Sequence, residues 1–153
     1  QLGVIYNPAM DETFYAVKGK GAFLNGEAIR VSTVKTLSDS LVVTGFRKEL
    51  LDTPKSNLKN FVRFGQECQT VRSLGSAALD LAYIACGRGD GFWEIALNPY
   101  DVAAGVLIAR EAGAVVDGLY DEGELLSGKV DILAANPDIF PLMRQVLLEE
   151  RIS

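Results

Sequence analysis

The stretch Asn98-Pro99-Tyr100-Asp101-Val102-Ala103-Ala104-Gly105 predicts the start of a helix in the second half of this 153-residue chain. Asn98 is a residue type favoured at the N-cap, and Pro99 suits the first helical position, where its missing N–H is not needed. Gly113 is of a type that can end the helix. The apolar residues that share one face at helical spacing are Val102, Val106 and Ala109.

Asp101 falls in the first turn of this predicted helix, where the helix dipole favours a negative charge and keeps the carboxylate ionised. An ionised carboxylate at a strand-to-helix junction can serve as a metal ligand. It can also do no more than stabilise the helix terminus, and acids are common in this position for that local reason. The residues around Asp101 leave both interpretations open.

Strands and helices alternate from residue 32 to residue 153, which predicts an α/β domain with a mostly parallel or mixed sheet flanked by helices. The predicted strands are Leu41–Thr44, Thr70–Leu74, Gly91–Ile95, Ala114–Val116 and Ile132–Ala135. The predicted helices are Leu51–Glu67, interrupted early by Pro54, then Ser76–Ala85, Pro99–Ala112 and a final helix capped by Asn136-Pro137, with a polar loop at Asp121–Lys129.

Residues 1–31 have a different pattern, typical of antiparallel strands. Strands are predicted at Leu2–Tyr6, Thr13–Val17, Ala22–Leu24 and Ala28–Val31, the last two joined by a tight turn at Asn25-Gly26. Gly19-Lys20-Gly21 predicts a sharp turn, because no Gly-Lys-Ser/Thr follows in the spacing of a phosphate-binding loop. A hairpin region of this kind is stable only within a larger sheet, so we expect these strands to join one.

Polar groups follow three of the predicted strands, and ligands of α/β sheets bind beyond the carboxyl ends of strands. The backbone N–H groups of Gly75-Ser76-Ala77 can bind substrate oxygens at a helix start, and Glu94 can accept hydrogen bonds from hydroxyl groups. Asp101 is the metal-ligand candidate. The alternative interpretations are ordinary N-capping by Ser76 and a solvated charge at Glu94.

Composition limits the classes of function. The chain is 48% hydrophobic with a net charge of −5, which argues against a nucleic-acid surface but permits a phosphate ester if metal ions supply the positive charge. No apolar run approaches the roughly 18 residues of a membrane span. The chain has no His, so any metal here is held by oxygen ligands, which suits Mg²⁺. Cys68 and Cys86 lack CxxC spacing and are interpreted as reduced thiols of a cytoplasmic protein, with a disulfide between them as the alternative.

Three motifs in order resemble the C-terminal signature of the inositol monophosphatase family: Gly75-Ser76-Ala77, then Asp90 to Glu94 (Asp-Gly-Phe-Trp-Glu), then Tyr100 to Gly105. Residues 3–8 and 19–26 are similar to the hairpin region before that signature. The resemblance covers nearly the whole chain and is weakest at residues 47–66 and 117–129. Tyr100 and Ala114 depart from it, standing where the family usually has Trp and Gly.

The resemblance implies an α-β-α-β-α sandwich and a Mg²⁺-dependent, lithium-sensitive phosphatase that is usually a homodimer. Its substrate is a small-molecule phosphate ester, here inositol monophosphate. The matching substrate-binding residues are Gly75, Ser76, Ala77 and Glu94, and Asp101 matches the catalytic ligand shared by metal and substrate. The family's Glu and Asp-Pro-x-Asp-Gly-Thr metal ligands do not occur here. We therefore expect the chain to be the C-terminal part of a longer enzyme, with residues 1–31 belonging to the N-terminal sheet of that enzyme and residues 32–153 forming its C-terminal domain.

Two alternatives remain beside this interpretation. One is fructose 1,6-bisphosphatase or dual sugar phosphatase activity, because Phe92-Trp93-Glu94 does not separate inositol phosphates from sugar phosphates. The other is a non-catalytic binding module that keeps the C-terminal fold without the remaining metal ligands.

Overall fold

A computed structural model describes residues 1–120 and 125–149, which form two β-sheets and four α-helices. The strands are β1 (Leu2–Asn7), β2 (Glu12–Val17), β3 (Ala22–Leu24), β4 (Glu27–Ala28), β5 (Leu41–Thr44), β6 (Thr70–Ser73), β7 (Gly91–Leu97), β8 (Val115–Gly118) and β9 (Val130–Ala135). The helices are α1 (Leu58–Glu67), α2 (Ala77–Ala85), α3 (Pro99–Glu111) and α4 (Ile139–Glu149), with 3₁₀ turns at Leu37–Asp39 and Lys48–Leu50.

The first sheet is antiparallel, in the order β1-β2-β3-β4. Its residues alternate between two faces, as the period of a strand requires. The inward face, which includes Ile5, Phe14 and Ala16, packs into the core beside α3. The outward face of β1 is apolar yet exposed, and consists of Leu2, Val4 and Tyr6.

The loop between β2 and β3 is anchored to α3. The N–H groups of Gly19 and Gly21 donate to the carboxylate of Glu111 at 2.8 and 2.9 Å. Both glycines have positive φ, which a sharp turn requires and other residues rarely adopt. The turn predicted at Gly19-Lys20-Gly21 is confirmed. Two of its backbone N–H groups bind the side chain of Glu111 on α3.

The second sheet is mixed, in the order β6-β5-β7-β9-β8. β5 runs parallel to both β6 and β7, whereas β9 runs antiparallel to both β7 and β8. The carboxyl ends of β5, β6 and β7 therefore lie along one edge of the sheet, and the carboxyl end of β9 lies at the opposite edge. The predicted α/β class with a mixed sheet is confirmed.

The helices and sheets form successive layers. α2 and α3 lie between the two sheets, and α1 and α4 cover the other face of the second sheet. Neighbouring residues of β7 show the division, because Phe92 packs with α2 and α3 while Trp93 packs with α1 and α4. The resulting order is sheet, helices, sheet, helices, with an apolar core on each side of the second sheet.

Two predicted elements are too long by three residues or more, and the ends of the other predicted strands and helices lie within two residues of those observed. The helix predicted at Leu51–Glu67 begins only at Leu58, because residues 51–55, around the predicted interruption at Pro54, form turns. The strand predicted at Ala28–Val31 ends at Ala28, since the N–H of Val31 donates to the carbonyl of Ala112 beyond α3 and not to the sheet.

Other predictions concern the loop before β9 and the cysteines. Residues 125–129 of the predicted polar loop form turns, and residues 121–124 lie outside the described residues. Cys68 and Cys86 are free and half-buried. Among the described residues, no helix has the length and apolar character needed to cross a membrane.

Candidate active site

A cleft of about 570 Å³ opens where β5, β6 and β7 end and where α2 and α3 begin. The residues predicted from the sequence all line it: Gly75, Ser76, Ala77, Glu94 and Asp101. Its other lining residues are Gly45, Phe46, Ser73, Ala78, Asp80, Leu97 and Tyr100. The parallel arrangement of the three strands explains why groups far apart in the chain meet here.

Asp101 lies in the first turn of α3 at the mouth of the cleft. Its Oδ2 accepts a hydrogen bond from the N–H of Asn98 at 2.9 Å, which stabilises the helix start. This bond engages one of the two carboxylate oxygens of a half-exposed side chain. The structural interpretation of Asp101 is therefore supported, and it does not exclude a ligand at the same carboxylate.

The start of α2 presents backbone N–H groups to the cleft. Ser76 is the N-cap, and its Oγ accepts a hydrogen bond from the N–H of Leu79 at 3.4 Å. Gly75 has a φ of +89°, and a methyl group placed on its Cα would meet no other atom within 4 Å. The first amides of α2 have no carbonyl partner within the helix, so an oxygen of a ligand can accept from them.

Glu94 is buried in the wall of the cleft, with 8% of its surface exposed. The interpretation as a solvated strand-end charge is wrong, because the carboxyl packs against the backbone of Gly45 so closely that a side chain at Gly45 would overlap it. Burial raises the pKa of Glu94 to about 7; the positive charge of Arg47 lowers the value and the negative charge of Asp101 raises it.

A buried side-chain network holds this wall together. The Nδ2 of Asn57 donates to the Oγ1 of Thr44 at 2.8 Å and to the carbonyl of Gly45 at 3.0 Å. The Oδ1 of Asn57 accepts from the indole N–H of Trp93. Asn57 thus links the end of β5 to the strand that carries Glu94. Sequence reasoning missed it, because nothing in the chain marks a contact across 36 residues.

Asp80 is a second residue of the cleft that sequence reasoning missed. It is 1% exposed, and neither of its carboxyl oxygens has a hydrogen-bond partner within residues 1–120 and 125–149. Burial, and next the negative charge of Glu94, raise the pKa of Asp80 to about 7. A signal was available, since an acid interrupts the otherwise apolar run Ala77–Ala85 on a face that this helix buries.

The cleft is strongly acidic. Among the residues that the structure describes, its lining contains the carboxyl groups of Asp80, Glu94 and Asp101 and no Lys or Arg. A phosphate ester would be repelled there unless a cation accompanied it. Mg²⁺ binds carboxylate oxygens, so the side chain of Asp101 fits as one ligand of the ion. Within residues 1–120 and 125–149, no group of three or more acidic, His or Cys side chains is arranged to hold a metal ion.

Comparison with known proteins gives a consistent result. Residues 1–152 match the model of the inositol monophosphatase family. The inositol-1-monophosphatase of Synechocystis is 44% identical over 146 residues, which are 95% of this chain and 50% of that protein. The Nus factor SuhB of Escherichia coli K12 is 40% identical over 151 residues, 98% of this chain and 56% of that protein.

The fold is also shared with a solved structure. An inositol monophosphatase from Anabaena superposes with a TM-score of 0.91 at 43% identity, covering 97% of this chain and 59% of the other. The layered arrangement is therefore that of the inositol monophosphatase fold. The chain spans about half the length of the curated relatives that it matches.

Proposed function

The chain belongs to the inositol monophosphatase family, and we propose that it carries the substrate-binding part of a Mg²⁺-dependent enzyme that hydrolyses inositol monophosphate. The observation that supports this most strongly is the composition of the cleft. It combines the amides at the start of α2, which can bind oxygens, with three carboxyl groups, and the described lining has no basic side chain. Such a site suits a phosphate ester that enters together with divalent cations.

Each predicted site residue has a role in this proposal. The amides at Gly75, Ser76 and Ala77 bind oxygens of the ester, and Glu94 accepts hydrogen bonds from hydroxyl groups of the inositol ring. Asp101, at the start of α3, would be a ligand of Mg²⁺. When bound, Mg²⁺ supplies activation of the attacking water and charge stabilisation of the leaving alkoxide.

The proposal places the remaining metal ligands outside these 153 residues. One carboxylate binds Mg²⁺ weakly, because this ion keeps its waters unless several oxygens compete for it. We propose that further carboxylates belong to a segment that also covers the exposed apolar face of β1. Residues 1–31 would then be part of a larger sheet, and residues 32–153 the C-terminal domain.

We further propose a cytoplasmic homodimer: the resemblance to the family supports the dimer, and the free thiols of Cys68 and Cys86 agree with a reducing compartment. Analytical ultracentrifugation of the complete natural protein tests the dimer. A monomer at micromolar concentration would contradict it.

The deciding experiment measures phosphate release from inositol 1-phosphate by the complete natural protein. We expect turnover that rises with Mg²⁺ and disappears with a chelator. Fructose 1,6-bisphosphate is assayed in parallel, and faster turnover of that ester would favour the sugar phosphatase alternative. A folded, Mg²⁺-loaded protein that releases no phosphate from either ester would overturn the proposal and favour a binding module.

A further inference from the structure

We propose that Asp80 is a specificity-determining residue of this cleft, where its carboxyl group, beside that of Glu94, binds a hydroxyl group on the alcohol part of the substrate. The inference rests on the proposed function, because it concerns the substrate of the same site. It assigns a role to a residue that the predicted site did not contain.

The unpartnered state of the Asp80 carboxyl carries the inference. Asp80 lines the cleft, and only 1% of its surface is exposed. Among the described residues, neither of its carboxyl oxygens has a hydrogen-bond partner. Buried polar groups are nearly always hydrogen-bonded, because losing water without replacement is costly. A ligand in the cleft can supply the missing partner.

A purely structural role does not explain this side chain. The helix dipole favours an acid near the start of α2, but that effect requires neither burial nor the loss of all hydrogen bonds. Among the described residues, Asp80 belongs to no ion pair and to no cluster that could hold a metal ion. Its position therefore costs stability, which is typical of functional residues.

The chemistry of the wall selects a hydroxyl group over a phosphate. A phosphate dianion next to Asp80 and Glu94 would face two carboxyl groups, whereas a neutral hydroxyl group meets no such repulsion. A hydroxyl group both donates and accepts. Because the pKa values of Asp80 and Glu94 are both about 7, the pair can offer a protonated donor and an ionised acceptor near neutral pH.

Helix packing fixes the position of Asp80. α2 and α3 approach so closely at Gly105 that a Cβ there would lie 2.8 Å from the side chain of Leu81, the residue after Asp80. Gly105 is one helical turn beyond Asp101. The distance between Asp80 and the proposed metal ligand is thus set by two packed helices and not by a loop, as a specificity site requires.

The experiment compares two esters that differ only in their hydroxyl groups, inositol 1-phosphate and cyclohexyl phosphate, in the complete natural protein with Mg²⁺. We expect Asp80→Ala to lower kcat/KM for inositol 1-phosphate by about 10- to 100-fold, the effect of a hydrogen bond that involves a charged group. We expect less than about a threefold change for cyclohexyl phosphate, since it has no hydroxyl group to lose. Asp80→Asn, which can still donate and accept, gives a smaller loss for the inositol ester.

Asp117→Asn is the matched control, because it removes a half-exposed carboxylate outside the cleft. We expect it to leave kcat/KM unchanged for both esters. With an active parent, two results would overturn the role of Asp80. One is an equal loss of kcat/KM for both esters in Asp80→Ala and Asp80→Asn, and the other is no loss of kcat/KM in either variant. A folded parent inactive on both esters would overturn the proposed function and this inference with it.

Discussion

Two helices of this protein begin with Asn-Pro followed closely by an acid, yet only one opens into the cleft. α3 begins at Pro99, directly after Asn98, and carries Asp101, whereas α4 begins at Ile139, after Asn136-Pro137-Asp138. Their local sequences predict the same feature, a helix N-terminus with a nearby carboxylate. The difference between them shows what decides whether such a feature becomes a site.

Asn136 is a structural residue at the start of α4. It is 1% exposed, and its Oδ1 accepts from the N–H groups of Asp138 and Ile139 at 3.0 and 2.8 Å. Its Nδ2 donates to Ser32 and Val34, both at 2.9 Å. All hydrogen-bonding capacity of this side chain is directed into the protein, and Asp138 is left exposed to solvent.

Asn98 has a different environment at the start of α3. It is half-buried, its Oδ1 accepts from the Nζ of Lys129 at 2.6 Å, and Asp101 caps its N–H. The direction of the preceding strand explains the contrast. β7 ends at the edge shared with β5 and β6, whereas β9 is antiparallel to β7 and ends beside Gly91, at the other edge. The first edge brings the carboxyl ends of three parallel strands together with the starts of α2 and α3.

The largest expected effect is on kcat, when Asp101 and Asp138 are replaced one at a time. Asp101→Asn should lower kcat for inositol 1-phosphate by about 100-fold or more, because a proposed metal ligand is lost. Folding should persist, since the amide oxygen can still accept from the N–H of Asn98. Asp138→Asn should keep the parent kcat. Steady-state kinetics of the complete natural protein measure both, and near-normal turnover of Asp101→Asn would remove Asp101 from the metal site.

For stability we expect the start of α4 to matter more than the start of α3, as replacing Asn136 and Asn98 would show. Asn136→Ala should lower the free energy of unfolding by about 3 kcal/mol, because it removes a cap and leaves buried groups unpaired. Asn98→Ala should cost about 1 kcal/mol or less, since its side-chain partner is an exposed lysine. Urea denaturation measures both values, and equal costs would show that the two helix starts do not differ in structural role.

The buried carboxyl group of Asp80 should make the stability of the protein depend on pH. The folded protein keeps a proton on Asp80 up to about pH 7, whereas the unfolded chain releases it near the ordinary value of 3.8. The unfolded state thus binds fewer protons in this range, and stability falls as pH rises from about 4 to about 7. We expect a loss on the order of 2 kcal/mol, because each pKa unit corresponds to about 1.4 kcal/mol and water in the cleft reduces the effect.

Asp80→Asn should remove much of this pH dependence and be more stable than the parent at pH 8. Denaturation curves between pH 4 and pH 8 provide the measurement. A parent whose stability rises across this range would contradict the burial of unpaired carboxyl groups in the cleft.

The sequence predicted most elements because their signals are local. β5, β6 and β7, the starts of α2 and α3, and the turn at Gly19-Lys20-Gly21 all follow from apolar runs, caps and glycines. The predicted helix Leu51–Glu67 was too long, because residues 51–55 around the predicted interruption at Pro54 form turns and α1 begins at Leu58. The strand Ala28–Val31 was too long, because Val31 bonds to the end of α3.

The candidate site was predicted in its chain positions but not in its environment. The ends of parallel strands indicated that Gly75, Glu94 and Asp101 would meet, and they line one cleft. The burial of Glu94 depends on Gly45, and the support of that wall depends on Asn57. These contacts join residues far apart in the chain, so no local pattern marks them.

The sequence by itself determined the family, the α/β alternation and the helix starts, because capping, turn formation and apolar periodicity act over a few neighbouring residues. Tertiary structure alone decided that Asp101 faces a cleft while Asp138 faces solvent, and that Asp80 is buried without a partner. The physical reason is that strand direction and helix packing set which ends meet, and burial sets how strongly each carboxyl group holds its proton.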